Sequence, residues 1–156
     1  MIEDAKLRKY NVRKGESSIS GLSSGAFMTV QMHLAHSASF VGAGVIAGGP
    51  YRCAESYRAA APGKGDANVL NSLFICMSPM TPETTPKADQ LAELAVKTAK
   101  EGKIDPIKNL VNDRLYIFTG SEDAVVYSDV VLRTKQFYEL LGVQKKNIVY
   151  RDDVPA

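Results

Sequence analysis

One stretch, residues 17–38, constrains this chain more than any other. Residues 17–20 (SSIS) read as a short strand. From Ser24 onward, Phe27, Val30, Leu34 and Ala38 recur at i, i+3, i+7 and i+11, the spacing of an apolar stripe along a helix. Gly21, Leu22, Ser23, Ser24 and Gly25 lie between the two. A strand that passes into a helix through a Gly-x-Ser-x-Gly turn lifts its central serine onto a sharp bend, with the hydroxyl exposed at the end of a sheet. The pentapeptide alone leaves two other readings open, a plain glycine-rich turn and a phosphate-cradling helix N-terminus. Gln31, His33 and His36 fall mostly off the stripe, so both histidines are expected at the surface.

A length of 156 residues, 45% apolar and 23% charged, fits one domain with a real core. The net charge of +2 comes with no basic block, which argues against a nucleic-acid partner. The longest apolar run, 41–49, is too short and too rich in glycine to cross a bilayer, so no membrane insertion is expected. Residues 1–14 are charged and do not read as a secretion signal. If the natural protein is exported, its signal is expected to be absent from this chain. Cys53 and Cys76 stand on either side of a Gly/Ala/Pro-rich stretch (59–65) and a short apolar segment (69–77). With no Cys or His at ligand spacing a metal site is not expected, which leaves a disulfide or two free thiols. A disulfide would lean towards a periplasmic or extracellular home.

Further along, 42–49 reads as a short buried strand and 50–85 as an irregular, lid-like excursion punctuated by prolines. Residues 87–100 form a helix on Leu91, Leu94, Ala95 and Thr98. A strand at 114–119, a loop at 120–126, a helix at 127–141 and a last strand at 147–151 follow. The alternation predicts an α/β fold with a mostly parallel sheet flanked by helices. In such sheets sites form beyond the carboxyl ends of the strands, where the elbow, the 48–51 segment and the Gly120 loop should converge.

A serine becomes a nucleophile when a histidine takes its proton and an acid orients that histidine. Asp123, in the loop after the 114–119 strand, occupies the acid's place; a plain helix cap near Tyr127 is the bland alternative, with Glu122 a rival and Asp129 set inside the helix. His33 lies ten residues up the elbow helix, ~15 Å along its axis from Ser23, and neither histidine of the chain is in reach. The loop in which the α/β-hydrolase plan puts its histidine is 152–156 and beyond. We therefore expect residues 1–156 to be the N-terminal part of a single catalytic domain whose C-terminal part is absent. An oxyanion hole takes one N–H from the residue after the nucleophile, here Ser24, and a second from a loop that ordinarily precedes the elbow. Only about one strand fits before Ser23, so either the fold is permuted or both ends are missing.

Residues 21–28 (GLSSGAFM), Gln31 to His33, 44–51 (GVIAGGPY) with Cys53 close behind, 104–110, 114–123 and 152–156 together resemble the single-domain poly(3-hydroxybutyrate) depolymerases and related secreted polyester esterases. The resemblance implies a circularly permuted α/β-hydrolase with Ser23 as nucleophile, Asp123 as acid, Ser24 N–H as one oxyanion donor and a Cys53–Cys76 disulfide. It places the family's histidine just after Pro155 and Ala156. The implied activity is serine-esterase cleavage of polyhydroxyalkanoate or its oligomers outside the cytoplasm, with a polyester or short-chain ester as substrate and no metal or organic cofactor. An esterase for acetylated or feruloylated polysaccharide shares the chemistry, and a non-catalytic α/β binding module shares the fold. Tyr51, Tyr57 and Phe74 are expected near the cleft, where aromatic rings suit a polymer or a sugar equally. Without a base, the chain as written is expected not to turn over esters, and a partial sheet is expected to fold poorly or self-associate.

Overall fold

Runs rich in β-branched and aromatic residues form three of the four strands, the first being a Ser-rich run around Ile19, and helices with an apolar stripe pack back onto the sheet. The computed structural model describes residues 10–13, 15–57 and 66–156. The stretch 59–65 and most of 1–14 lie outside the described residues. Strands β1 (Ser17–Leu22), β2 (Phe40–Ile46), β3 (Arg114–Gly120) and β4 (Ile148–Val154) form one sheet in the order β1-β2-β3-β4, every neighbouring pair parallel. The helices are α1 (Ser24–Ala35), α2 (Asp66–Phe74), α3 (Ala88–Lys100) and α4 (Ser128–Leu140). The expected α/β class with a parallel sheet is what the chain adopts.

Because side chains alternate across a strand, the register assigns each residue to a face. Ile19, Ala43, Val45, Leu115, Ile117, Ile148 and Tyr150 share one face. Together with Ala26, Val30 and Leu34 of α1, Leu91 and Ala95 of α3, and Val130, Phe137 and Tyr138 of α4, they make a single core. Ser18, Ser20, Leu22, Tyr116 and Val149 point the other way and are exposed. α1, α3 and α4 thus cover the same side of the sheet, where parallel strands ordinarily have both sides buried.

Three boundaries differ from the sequence reading. β2 ends at Ile46 instead of running to residue 49, because Ala47 turns to φ 53° and its amide is donated to the Phe118 carbonyl at 2.9 Å. The last strand runs past residue 151 to Val154, held by Gly120 opposite Val154 and by Ser121 N–H donating to the Val154 carbonyl at 2.9 Å. The excursion 50–85 contains a helix, α2, and the short helical turn Cys53–Glu55 beside it. It escaped notice because its large apolar side chains do not form an inward stripe.

Candidate active site

Ser23 sits between β1 and α1 with φ 53° and ψ −120°, a backbone state that a residue with a Cβ adopts only when its surroundings force it. What forces it is visible. The Ser23 amide donates to the carbonyl of Ile46 at 2.9 Å, and the Ser23 carbonyl accepts the amide of Phe27 at 3.0 Å, so the residue is tied to the end of β2 and to the first turn of α1 at once. Gly21 makes the tight approach possible: a Cβ there would stand 2.3 Å from the backbone of Gly25. A Cβ on Gly25 would meet nothing within 4 Å. Gly21→Ala is therefore expected to destabilise the protein by about 2–3 kcal/mol and Gly25→Ala by well under 1 kcal/mol in urea unfolding. Equal losses would mean that the elbow is not held by this contact.

Ser24 is the first residue of α1, so its N–H has no partner within the helix and points beyond its N-terminus. Ser23 and Ser24 border a cavity of about 510 Å³. Phe27, Met28, Ala54 and Met77 give it an apolar lining, while Gln31, Arg52 and Glu55 make one polar side. Arg52 is braced: Nε donates to Glu55 Oε1 at 2.6 Å, Nη2 pairs with Glu55 Oε2, and Nη1 donates to Thr98 Oγ1 of α3 at 3.3 Å. Gln31 Oε1 accepts the Arg52 amide at 3.2 Å and Gln31 Nε2 donates to the Phe27 carbonyl at 3.3 Å, so the polar side is locked to α1. The sequence reading missed these lining residues. The expected Tyr51, Tyr57 and Phe74 do not border the cavity: Tyr51 is buried in the core, Tyr57 donates to the Thr85 carbonyl, and Phe74 faces solvent.

Cys53 and Cys76 form a disulfide with their Cα atoms 5.9 Å apart, and both border the same cavity. The bond closes a loop of sequence separation 23 and is worth about 3 kcal/mol in the chain-entropy account. It joins the Cys53–Glu55 turn to the end of α2, supported by Asn71 Nδ2 donating to the carbonyls of Ala54 (2.7 Å) and Tyr57 (2.9 Å). Cys76→Ala is expected to lower the unfolding free energy by about 3 kcal/mol. The cavity wall should also become open to protease at 69–77, whereas an unchanged cleavage pattern would contradict its supporting role.

Asp123 lies in the turn that follows β3. Its Oδ1 accepts the amides of Val125 at 2.9 Å and Val126 at 3.0 Å, and Oδ2 has no hydrogen-bond partner among the described residues. The carboxylate therefore braces its own turn, while α4 begins at Ser128 after Tyr127 with no side-chain cap, so the plain-cap reading does not hold. Leu22, Ile46 and Phe118 stand level across β1, β2 and β3. The Ser23 bend and the Asp123 loop hence both leave the carboxyl end of the sheet, from strands that lie two spacings apart, about 10 Å. The Ala156 carbonyl packs directly over Gly120, so the segment after β4 crosses at the root of the Asp123 loop.

Neither histidine of the chain is near. His36 is exposed just past α1. His33, expected at the surface, is fully buried instead. Its Nδ1 accepts the Tyr138 hydroxyl at 3.0 Å and its Nε2–H donates to Asp113 Oδ2 at 3.1 Å. This tautomer follows from the partners, since a phenol donates and a carboxylate accepts. Burial holds the imidazole down at about 4 and raises the Asp113 carboxyl to about 6. The periodicity could have found it: His33 is seven residues from Ala26 and three from Val30, both inward.

No family model matches the sequence. Among curated proteins, the chain is 38% identical over 151 residues to poly(3-hydroxybutyrate) depolymerase of Delftia acidovorans, covering 96% of this chain and 28% of that protein. It is 35% identical over 132 residues to polyhydroxybutyrate depolymerase of Talaromyces funiculosus, covering 83% of this chain and 33% of that one. The crystal structure of PHB depolymerase from Penicillium funiculosum superimposes with a TM-score of 0.69 at 27% identity, over 90% of this chain and 38% of that chain. The chain belongs to the poly(3-hydroxybutyrate) depolymerase family. It spans about a third of the length of these relatives. A PHB depolymerase carrying a serine-to-alanine change, complexed with an R3HB trimer, superimposes equally well, with a TM-score of 0.70. The resemblance drawn from the motifs and the parallel α/β architecture are both upheld.

Proposed function

We propose that this chain is the N-terminal part of the catalytic domain of a serine esterase that cleaves the ester bonds of poly(3-hydroxybutyrate) or a related polyhydroxyalkanoate and its oligomers. The observation that carries the reading is the strained bend at Ser23, opening on a largely apolar cavity at the same carboxyl end of the sheet that the Asp123 turn leaves. Ser23 Oγ attacks the ester carbonyl as a histidine accepts its proton. Asp123 Oδ2 holds that imidazole in the tautomer that leaves its other nitrogen facing the serine. Ser24 N–H donates to the oxygen as it becomes negative. The histidine then protonates the leaving alkoxide, which departs as a free 3-hydroxyl end, and water, giving its proton to the histidine, attacks the acyl-enzyme to release the carboxylic acid end and restore the Ser23 hydroxyl. Every step is proton transfer and acyl transfer, so no metal or organic cofactor enters.

The histidine comes from outside these 156 residues, since His33 is committed to Tyr138 and Asp113 and His36 lies beyond the far end of α1. Residues 1–156 alone are accordingly expected to leave esters intact. The disulfide supports an oxidising compartment, periplasmic or extracellular, and no helix among the described residues is long and apolar enough to cross a membrane. A substrate panel on the intact enzyme tests the reading. Release of 3-hydroxybutyrate from polymer film and oligomers is expected, with little release of acetate or ferulate from decorated polysaccharide. The reverse ranking would replace the substrate class while keeping the chemistry.

A further inference from the structure

Gly49 is a glycine for reasons of space alone. Its φ lies outside the left-handed region, so its backbone would accept a side chain. Its surroundings would not: a Cβ there would stand 2.4 Å from Phe27 Cε1, 3.2 Å from Phe27 Cζ and 3.3 Å from Val130 Cγ1. The Phe27 ring thus rests its outer edge in the place a side chain at this buried position would fill. Phe27 is one helical turn past Ser23 and borders the cavity onto which Ser23 opens, whereas Gly49 stands behind the ring, outside the lining.

Neither backbone is free to yield. The segment 47–50 is tied at three points: the Ala47 amide donates to the Phe118 carbonyl at 2.9 Å, Thr134 Oγ1 donates to the Gly48 carbonyl at 2.8 Å, and the Pro50 carbonyl accepts the Cys53 amide at 3.2 Å. Phe27 is held by its amide, which donates to the Ser23 carbonyl at 3.0 Å, and by its carbonyl, which accepts Gln31 Nε2 at 3.3 Å. A methyl group at position 49 must therefore be absorbed by rotation of the ring. That ring packs between the main core and the cluster of Cys53, Ile75 and Cys76, whose disulfide resists displacement. The side left open to it is the cavity.

We propose that Gly49 is a positioning residue for substrate selection: by seating the Phe27 ring back from Ser23, it sets the largest side group that a hydroxyalkanoate unit can carry at the site. The proposal rests on the esterase reading, which supplies the substrate. It adds a residue outside the cavity that fixes the cavity's width. An apolar wall discriminates about tenfold or more for one methylene, so a shift of the ring by one methyl group is large enough to read in the kinetics.

The test is kcat/KM of the intact, disulfide-bonded enzyme for trimers of 3-hydroxyvalerate, whose side group is ethyl, relative to trimers of 3-hydroxybutyrate, whose side group is methyl. Gly49→Ala should lower that ratio at least about tenfold, and Phe27→Leu should raise it at least about threefold. Gly49→Ala/Phe27→Leu should bring it back to within about threefold of the parent, because the shorter side chain leaves room for the new methyl group. Gly48→Ala is the structural control: its Cβ would meet Ala26 Cβ at 2.6 Å, in the packing of α1 on the end of β2. It should melt at a lower temperature and keep the ratio within about twofold. A ratio that Gly49→Ala leaves unchanged, a double variant that keeps the whole loss, or an equal fall in Gly48→Ala would overturn the proposal. If Gly49→Ala does not fold, the other two variants decide, and a Phe27→Leu ratio no higher than the parent's overturns it. A parent that cleaves neither trimer removes the esterase reading and the proposal with it. Cleavage whose side-group preference ignores residues 27 and 49 sinks the proposal alone.

Discussion

Ser23→Ala in the intact enzyme is expected to reduce ester hydrolysis by at least about 10⁴-fold with little change in substrate affinity, because it removes the oxygen proposed to form the covalent bond. A second substitution separates chemistry from strain. Ser23 holds φ 53° and ψ −120°, a conformation that costs a residue with a Cβ about 1–3 kcal/mol and glycine much less. Ser23→Gly should therefore be as inactive as the alanine variant, yet unfold at a higher urea concentration than Ser23→Ala, by about 1 kcal/mol. An alanine variant more stable than the glycine variant would mean that the bend is not strained. Retained hydrolysis in either would remove Ser23 from the chemistry.

The largest stability effect is expected at His33. The imidazole fills a buried space and supplies hydrogen bonds to two other buried groups, so His33→Ala creates a cavity and strands the Tyr138 hydroxyl and the Asp113 carboxylate together. A loss of about 3–5 kcal/mol is expected in urea unfolding. The pH dependence is more specific than the size. His33 titrates at about 4 in the fold and near 6.5 unfolded, so by itself it contributes stability that is present above pH 6.5 and lost as pH falls towards 4. Asp113 titrates at about 6 in the fold and near 3.8 unfolded, so by itself it opposes folding above pH 6 and that opposition fades as pH falls to 3.8. Around pH 5 the unfolded chain has taken one proton on His33 and the folded chain one on Asp113. The two slopes cancel, and this pair leaves stability nearly level between pH 7 and 4. Asp113→Asn breaks the cancellation: stability should then fall by about 3 kcal/mol between pH 7 and 4. A flat profile in that variant would show that His33 is not held neutral by burial.

The elbow was legible because its geometry is local. Gly21 and Gly25 flank a serine between a short strand and a helix, and the contacts that hold the bend are made by residues within a few positions or by the end of the next strand. The place of Asp123, in the turn directly after β3, was legible for the same reason, since an unmistakable apolar strand precedes it. α2 was not legible as a helix, because amphipathic reasoning looks for an apolar face turned inward and this helix turns it outward; its inward anchors, Asn71 to the Ala54 and Tyr57 carbonyls, are long-range bonds to a turn that no periodicity announces. His33 was misplaced by residue type. Histidine is polar enough to be assigned to the surface, and the partners that make its burial tolerable, Tyr138 and Asp113, are 105 and 80 residues away. The cavity lining of Gln31 and Arg52 was missed because a left-handed turn at Arg52, φ 52°, brings its amide to Gln31.

The central claim is that Ser23 is the nucleophile and Asp123 the acid of one site, and labelling of the intact enzyme with a fluorophosphonate probe, followed by peptide mapping, tests it most directly. The adduct is expected on Ser23, with Asp123→Asn slowing its formation at least about 10³-fold and Asp129→Asn leaving the rate unchanged. An adduct on another serine, or undiminished labelling of Ser23 in Asp123→Asn, would contradict the account.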